Sequence, residues 1–204
     1  GQELLVNYLK NKKILFQSNG KFIVSNSSTE SLQLDRLEHN AKVSGIPCSR
    51  LTKSDLKSLD SEVICEEALF IESAKTVNYL EVINALKEDV IKLGGKLLFN
   101  SYVKKVVNNT VIVNGIENIQ CNERVIVATG LGVDKIITNK KYFTIGFKGR
   151  YLKAKRFRTG SALIYPAPNP KLPFLGVHTC RQNKDYEYFG PNAVFSLSKT
   201  PILS

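Results

Sequence analysis

The sequence predicts a mixed α/β fold in which helices and short strands alternate along the chain. Three stretches carry that prediction. Asn78 to Leu93 spreads Leu80, Val82, Ile83, Leu86, Val90, Ile91 and Leu93 over one broad helical face, and Gly94-Gly95 follows where a left-handed cap residue belongs. Tyr102 to Val107, Thr110 to Val113 and Ile116 to Cys121 read as a small antiparallel meander, because Asn108-Asn109 and Asn114-Gly115 supply two-residue turns. Arg124 to Ala128 is an apolar strand that runs into Thr129-Gly130-Leu131-Gly132, and Val133, Ile136 and Ile137 then predict a short helix.

The other elements follow the same periodicities. Leu4, Leu5, Tyr8 and Leu9 give a helix over Glu3 to Lys12. Ile14 to Phe16 and Phe22 to Val24 read as strands of a hairpin around Ser18-Asn19-Gly20. A helix over Thr29 to Ser44 is expected to take its cap from Ser28 or Thr29 and to stop at Gly45, with a further helical turn over Ser54 to Leu59. Ala68 to Ile71 and Lys96 to Phe99 read as strands, the second a buried one, and Tyr142 to Ser161 is strand-like and basic. Leu163 to Pro166 and Phe174 to Val177 read as strands flanking Pro166, Pro168, Pro170 and Pro173, which impose a rigid, irregular loop.

Composition narrows the function classes. The 204 residues are 43% hydrophobic, enough to build one large domain or parts of two. No apolar run reaches the length of a spanning helix, and Gly1-Gln2-Glu3 does not open a signal peptide, so a cytoplasmic protein is expected. Cys48, Cys65, Cys121 and Cys180 form no CxxC pair and only two histidines are present. These counts argue against zinc ribbons, thioredoxin-like sites and disulfide frameworks, and no metal site is expected. The chain contains no methionine, as expected of a fragment, a processed product or a trimmed chain.

Net charge is +11, and the excess is local: from Lys135 to Lys184 there are twelve Lys or Arg and no Asp or Glu. Such a segment draws nucleic acid, an anionic membrane surface or an acidic small molecule, and a plain solvated face carries the same pattern. For nucleic acid, Tyr142, Phe143, Phe147, Tyr151 and Phe157 would be the stacking residues beside Arg156 and Arg158. Their alternation is that of core-facing strand residues, which argues against this reading.

Gly130-Leu131-Gly132 supplies two glycines of a dinucleotide fingerprint, but Lys135 stands where the third belongs. No acidic residue follows about 20 positions on to hold a ribose. It is therefore not the main phosphate-binding turn, although a glycine turn after a strand lets backbone approach a cofactor closely. A structural strand terminator has the same pattern. His178, in Leu175-Gly176-Val177-His178-Thr179-Cys180-Arg181, is read at the end of an apolar strand, as a base or as a structural histidine. Arg181 could fork onto a carboxylate.

The block Leu163-Ile164-Tyr165-Pro166-Ala167-Pro168-Asn169-Pro170, then Pro173-Phe174-Leu175-Gly176-Val177-His178-Thr179 and Gly190-Pro191-Asn192-Ala193-Val194, carries a family resemblance. So do Gly20-Lys21-Phe22-Ile23-Val24, Val77-Asn78-Tyr79 and Val127-Ala128-Thr129-Gly130-Leu131. Together they resemble the L-2-hydroxyglutarate oxidases and dehydrogenases within the D-amino-acid-oxidase-like family of FAD enzymes.

That resemblance implies interleaved domains: residues 1–74 and 140–190 as parts of an antiparallel-sheet substrate domain, 75–139 as the middle of an FAD domain, and 191–204 returning toward it. It also implies FAD as cofactor, a 2-hydroxy dicarboxylate such as L-2-hydroxyglutarate as substrate, and oxygen or a quinone as electron acceptor. His178 would be the base or orienting group, with Tyr165 and Arg181 on the substrate carboxylates. Val103, Thr129 and Gly130 would approach FAD. The family's GxGxxG unit and its C-terminal segment find no counterpart here. Lys148 would be a further substrate-binding residue; the family usually has an arginine and an acidic residue around Gly146-Phe147-Lys148-Gly149-Arg150, where this chain has Lys148 and Arg150, and a lysine does not reproduce an arginine fork. Peripheral attachment to the inner membrane surface near a quinone pool is a further expectation, and a module of the same family that does not bind FAD is the alternative reading.

Overall fold

The computed structural model describes residues 1–114, 118–137, 143–155, 160–181 and 185–196, with Arg181 described by its backbone only. It divides into two compact units, each drawn from two separated stretches: 1–87 with 149–193, and 88–148 with 194–204.

In the first unit, α1 (Gln2–Lys12) ends at Lys13, which is left-handed at φ 56° and donates its N–H to the carbonyls of Leu9 and Lys10. The strands β1 (Phe16–Ser18) and β2 (Lys21–Ser25) do not form the expected hairpin. The usual two-residue hairpin turn needs positive φ at both central residues or at the first of them, and of Asn19 and Gly20 only the second has it, at 65°. Asn19 is instead buried. Its amide donates to the Ser161 carbonyl at 3.2 Å, and its side-chain oxygen accepts from the Thr76 hydroxyl at 2.5 Å. As a result β1 pairs antiparallel with β5 (Lys75–Val77), while β2 enters a different sheet.

That sheet has the order β11 (Leu163–Pro166), β2, β4 (Glu67–Ile71), β3 (Ser49–Thr52). It is mixed rather than wholly antiparallel, since β11 runs parallel to β2. Successive residues of β2 point to opposite faces, and both faces are covered. Phe22 packs with Leu56, Val63, Cys65, Ala68 and Ala162 on one side, and Ile23 with Leu34, Leu69 and Ala167 on the other. Leu34 comes from α2 (Ser28–Val43) and Leu56 from α3 (Lys53–Leu59).

The α2 cap is Ser27, one residue before the expected Ser28 or Thr29. Only Ser27 sets Glu30 at the third helical position, where its carboxylate accepts the Asn26 N–H at 2.7 Å. Arg50 ties α2 over the sheet by donating to Glu67, Asp35 and Ser31. The Ser31 hydroxyl, and then Arg50, hold the Glu67 carboxyl below its usual range against a smaller opposing effect of burial.

A second sheet in this unit has the antiparallel order β10 (Leu152–Lys155), β13 (Tyr186–Gly190), β12 (His178–Arg181). The expected strand over Phe174 to Val177 is absent. That run is irregular and exposed after Pro173, so His178 opens a strand rather than closing one.

Helix α4 (Tyr79–Lys92) ends at Gly94, left-handed at φ 81°. It leaves Leu80, Ile83, Leu86, Val90 and Ile91 exposed among the described residues. In the second unit, β6 (Val103–Val107), β7 (Thr110–Val113) and β8 (Ile119–Gln120) form the expected meander, with Asn108 and Asn109 both left-handed between β6 and β7. Residues 115–117, including Gly115 of the second expected turn, lie outside the described residues.

The strands expected over Lys96 to Phe99 and Arg124 to Ala128 do not form. A strand apolar on both faces needs neighbours on both. Phe99 and Ile126 stand 67% and 82% exposed, so neither run is covered as such a strand would be. The chain then makes a 3-10 turn (Gly130–Gly132), α5 (Val133–Ile136), and β9 (Gly146–Lys148), which pairs antiparallel with β14 (Val194–Ser196).

Gly20 is the turn that delivers β2 to its sheet, and a Cβ there would lie 2.6 Å from the Phe70 ring. Gly20→Ala therefore combines strained backbone with overpacking, and is expected to lower unfolding free energy by about 1–3 kcal/mol in urea denaturation.

Candidate functional site

Strand β11 packs alongside β12, and the Ile164 N–H donates to the Thr179 hydroxyl oxygen at 2.7 Å. That contact aligns Tyr165 with His178: their rings stack at 4.2 Å between centroids and 11° between planes. His178 Nδ1 lies 2.9 Å from the Gly176 carbonyl oxygen. A carbonyl only accepts, so Nδ1 carries the proton, and the neutral form of the ring has Nε2 as its bare acceptor.

The surroundings keep the acidic groups of this cluster neutral. Burial, with smaller contributions from Cys180 and Tyr151, pushes the Tyr165 phenol above its usual range. Burial also raises the Cys180 thiol and, with a smaller contribution from Cys180, the Tyr151 phenol. Tyr165 is thus an O–H donor at neutral pH. Tyr151 comes close to the end of β13 because position 190, opposite His178 in the register, is glycine: a Cβ there would lie 2.8 Å from Tyr151 Cδ1. Lys21, the first residue of β2, places Nζ 5.3 Å from the centre of the Tyr165 ring.

Of the residues singled out in the sequence, Tyr165 and His178 are brought into contact. Arg181 closes β12 opposite Glu187 in the backbone register, and its side chain lies outside the described residues. Lys148 sits on β9, opposite Val194, in the second unit. Val103 opens β6 opposite Val113, just before a register shift, and Thr129 and Gly130 form the start of the 3-10 turn.

Lys21 and Cys180 were given no role from sequence, and Tyr151 only one among the stacking aromatics of the basic segment. Lys21 reaches Tyr165 through a strand pairing that no local spacing signals. Of the aromatics of the basic segment, Phe143, Phe147 and Tyr151 are exposed rather than core-facing, with Phe147 edge-on to Phe195 at 6.2 Å, while Tyr142, Arg156, Phe157 and Arg158 lie outside the described residues.

The family model described as DAO, FAD dependent oxidoreductase, matches residues 2–201. The chain belongs to this family of FAD-dependent oxidoreductases. Similar curated DAO relatives include L-2-hydroxyglutarate dehydrogenase of Indibacter alkaliphilus, 29% identical over 98% of this chain and 52% of the relative. The mitochondrial L-2-hydroxyglutarate dehydrogenase of Homo sapiens is 27% identical over 98% and 48%.

Among solved structures, L-proline dehydrogenase from P. horikoshii matches at TM-score 0.82 and 16% identity, over 99% of this chain and 56% of that one. L-alpha-glycerophosphate oxidase from Mycoplasma pneumoniae with FAD bound matches at 0.79 and 17%, over 97% and 56%. The chain spans about half the length of these relatives, and the solved structures establish the fold.

For the family's cofactor, the second unit offers one fitting feature. Gly130 has φ 54°, and a Cβ there would meet nothing within 4 Å, so the Thr129-Gly130 turn has open space in front of it. A flat ring can come against such a turn. No helix among the described residues is long and apolar enough to cross a membrane.

The raised acid groups fix a pH dependence. Above the ordinary thiol and phenol values of 9.0 and 10.0, the unfolded chain sheds protons that folded Cys180 and Tyr165 retain. Stability therefore falls as pH rises through that window, until the folded groups also ionise. Urea midpoints taken between about pH 8 and 11 should decline, and Tyr165→Phe should flatten the decline.

Proposed function

We propose that this chain is the substrate-facing part of an FAD-dependent oxidoreductase that oxidises a 2-hydroxy dicarboxylate such as L-2-hydroxyglutarate. Family membership and the L-2-hydroxyglutarate dehydrogenase relatives support the class and the substrate. The observation that carries the reading is the Tyr165–His178 stack, with Nδ1–H spent on the Gly176 carbonyl. By the family resemblance, residues 1–74 and 140–190 belong to the substrate domain, 75–139 to the middle of the FAD domain, and 191–204 return toward it.

Bound FAD supplies the acceptor for the hydride leaving the substrate carbinol carbon. His178 Nε2 takes the hydroxyl proton as that hydride departs, leaving a 2-oxo acid. The Gly176 carbonyl steadies the imidazolium through Nδ1–H. Tyr165 holds the imidazole plane and offers its phenol as a donor to a carboxylate oxygen. Arg181 is the further carboxylate ligand on this reading, and Val103, Thr129 and Gly130, in the second unit, would approach FAD by backbone. Oxygen or a quinone takes the electrons, and the basic segment would draw an anionic substrate or rest on an anionic membrane surface.

His178→Ala, made in a flavin-loaded protein of the relatives' full length, should slow anaerobic flavin bleaching by L-2-hydroxyglutarate about 10²–10⁴-fold. Unchanged bleaching would remove His178 from the reaction. The alternative reading is a module of the family fold that does not bind FAD. Titrating FAD into the purified chain separates the two. A flavin spectrum that stays with the protein through gel filtration supports the first, and a colourless protein supports the second.

A further inference from the structure

We propose that Lys21 is an anchor for one carboxylate of the substrate at the Tyr165–His178 pair, and so selects acids over neutral alcohols. The proposal rests on the reading above for its substrate and on Lys21's own surroundings for its role.

Lys21 is held in place by backbone on both sides. The Gly20 N–H donates to the Ala74 carbonyl at 3.0 Å, and the Leu163 N–H donates to the Gly20 carbonyl at 3.0 Å. Its register partner on β11 is Leu163, two residues before Tyr165. On a parallel pair that spacing keeps Lys21 and Tyr165 on one face of the sheet, and Nζ stands 5.3 Å from the phenol ring centre.

Charge then makes the case. Lys21 is half-buried on an aromatic face, and no described carboxylate pairs with it. The acidic groups around Tyr165 supply no counter-charge, because burial keeps Tyr165, Tyr151 and Cys180 protonated. An ammonium on an aromatic face is only partly compensated for lost water. A carboxylate drawn between Lys21 and the Tyr165 hydroxyl would complete that compensation. As a compact charge with three donors, Lys21 takes a single carboxylate oxygen without requiring a fork.

The chain has only two histidines, so the His178 imidazole signal can be followed by NMR in the intact 204-residue chain. In wild type, glutarate and L-2-hydroxyglutarate should shift that signal saturably, and 1,5-pentanediol should not. Lys21→Gln should weaken the dicarboxylate response about tenfold or more, with Lys21→Arg recovering most of it. In the flavin-loaded full-length protein, Lys21→Gln should raise KM by a similar factor with kcat little changed.

A Lys21→Gln chain that keeps wild-type far-UV circular dichroism and titrates like wild type overturns the proposal. So does a wild-type His178 signal that ignores both dicarboxylates. Its failure is separable from that of the catalytic reading: dicarboxylate binding that depends on Lys21, beside a His178→Ala protein that still bleaches flavin, sinks the reading and keeps the anchor. The reverse pair of results does the opposite.

Discussion

A parallel strand pair cannot be closed by a tight turn, so β11 reaches β2 only after the chain has left the sheet at β4, built another unit and come back. The return is pinned at Asn19, whose amide bonds the Ser161 carbonyl 142 positions later, and at Gly20, whose carbonyl accepts the Leu163 N–H. From that pairing follow the placing of Tyr165 over Ile23 in register, the packing of β12 on β11, and the meeting of Lys21, Tyr165 and His178. The ring stack is therefore a product of sheet topology, and the residues near it in sequence contribute mainly the Gly176 carbonyl that fixes the imidazole.

Local chemistry was legible in the sequence wherever it was sufficient by itself. Asn108-Asn109 forms its turn because both residues tolerate left-handed backbone, and Gly94 ends α4 for the same reason. Where an apolar run could be buried in more than one way, reading it in isolation failed. Phe174 to Val177 and Arg124 to Ala128 look like strands, yet the first follows Pro173 as an irregular, exposed run and no described strand pairs with the second. The hairpin at Asn19-Gly20 failed because a buried side-chain hydrogen-bond network took Asn19. Tyr165 and His178 were visible through family resemblance, whereas Lys21 looked like any strand-edge lysine until the parallel register set it over an aromatic ring.

The basic segment also takes on a more limited meaning. Lys21 lies outside it, so the charge that stands at the ring stack is not drawn from the local excess. Within the segment, Lys153 lies 4.0 Å from the centre of the Tyr186 ring and 6.0 Å from that of Tyr188. Part of the excess thus covers aromatic surface on the second sheet. On the proposed readings, long-range attraction of an anion and short-range capture of its carboxylate are separate tasks, assigned to different lysines.

The separation of β2 from β11 along the chain has a kinetic consequence. Contacts this distant in sequence form late, because a long loop must close before any of their stabilisation is gained. Until β11 arrives, β2 is an edge strand with unpaired N–H and C=O groups and the apolar Phe22 and Ile23 beside them. During synthesis the interval is lengthened by everything between Ser25 and Leu163. The same strand that later supports the ring stack is, for that period, open to pairing with another chain.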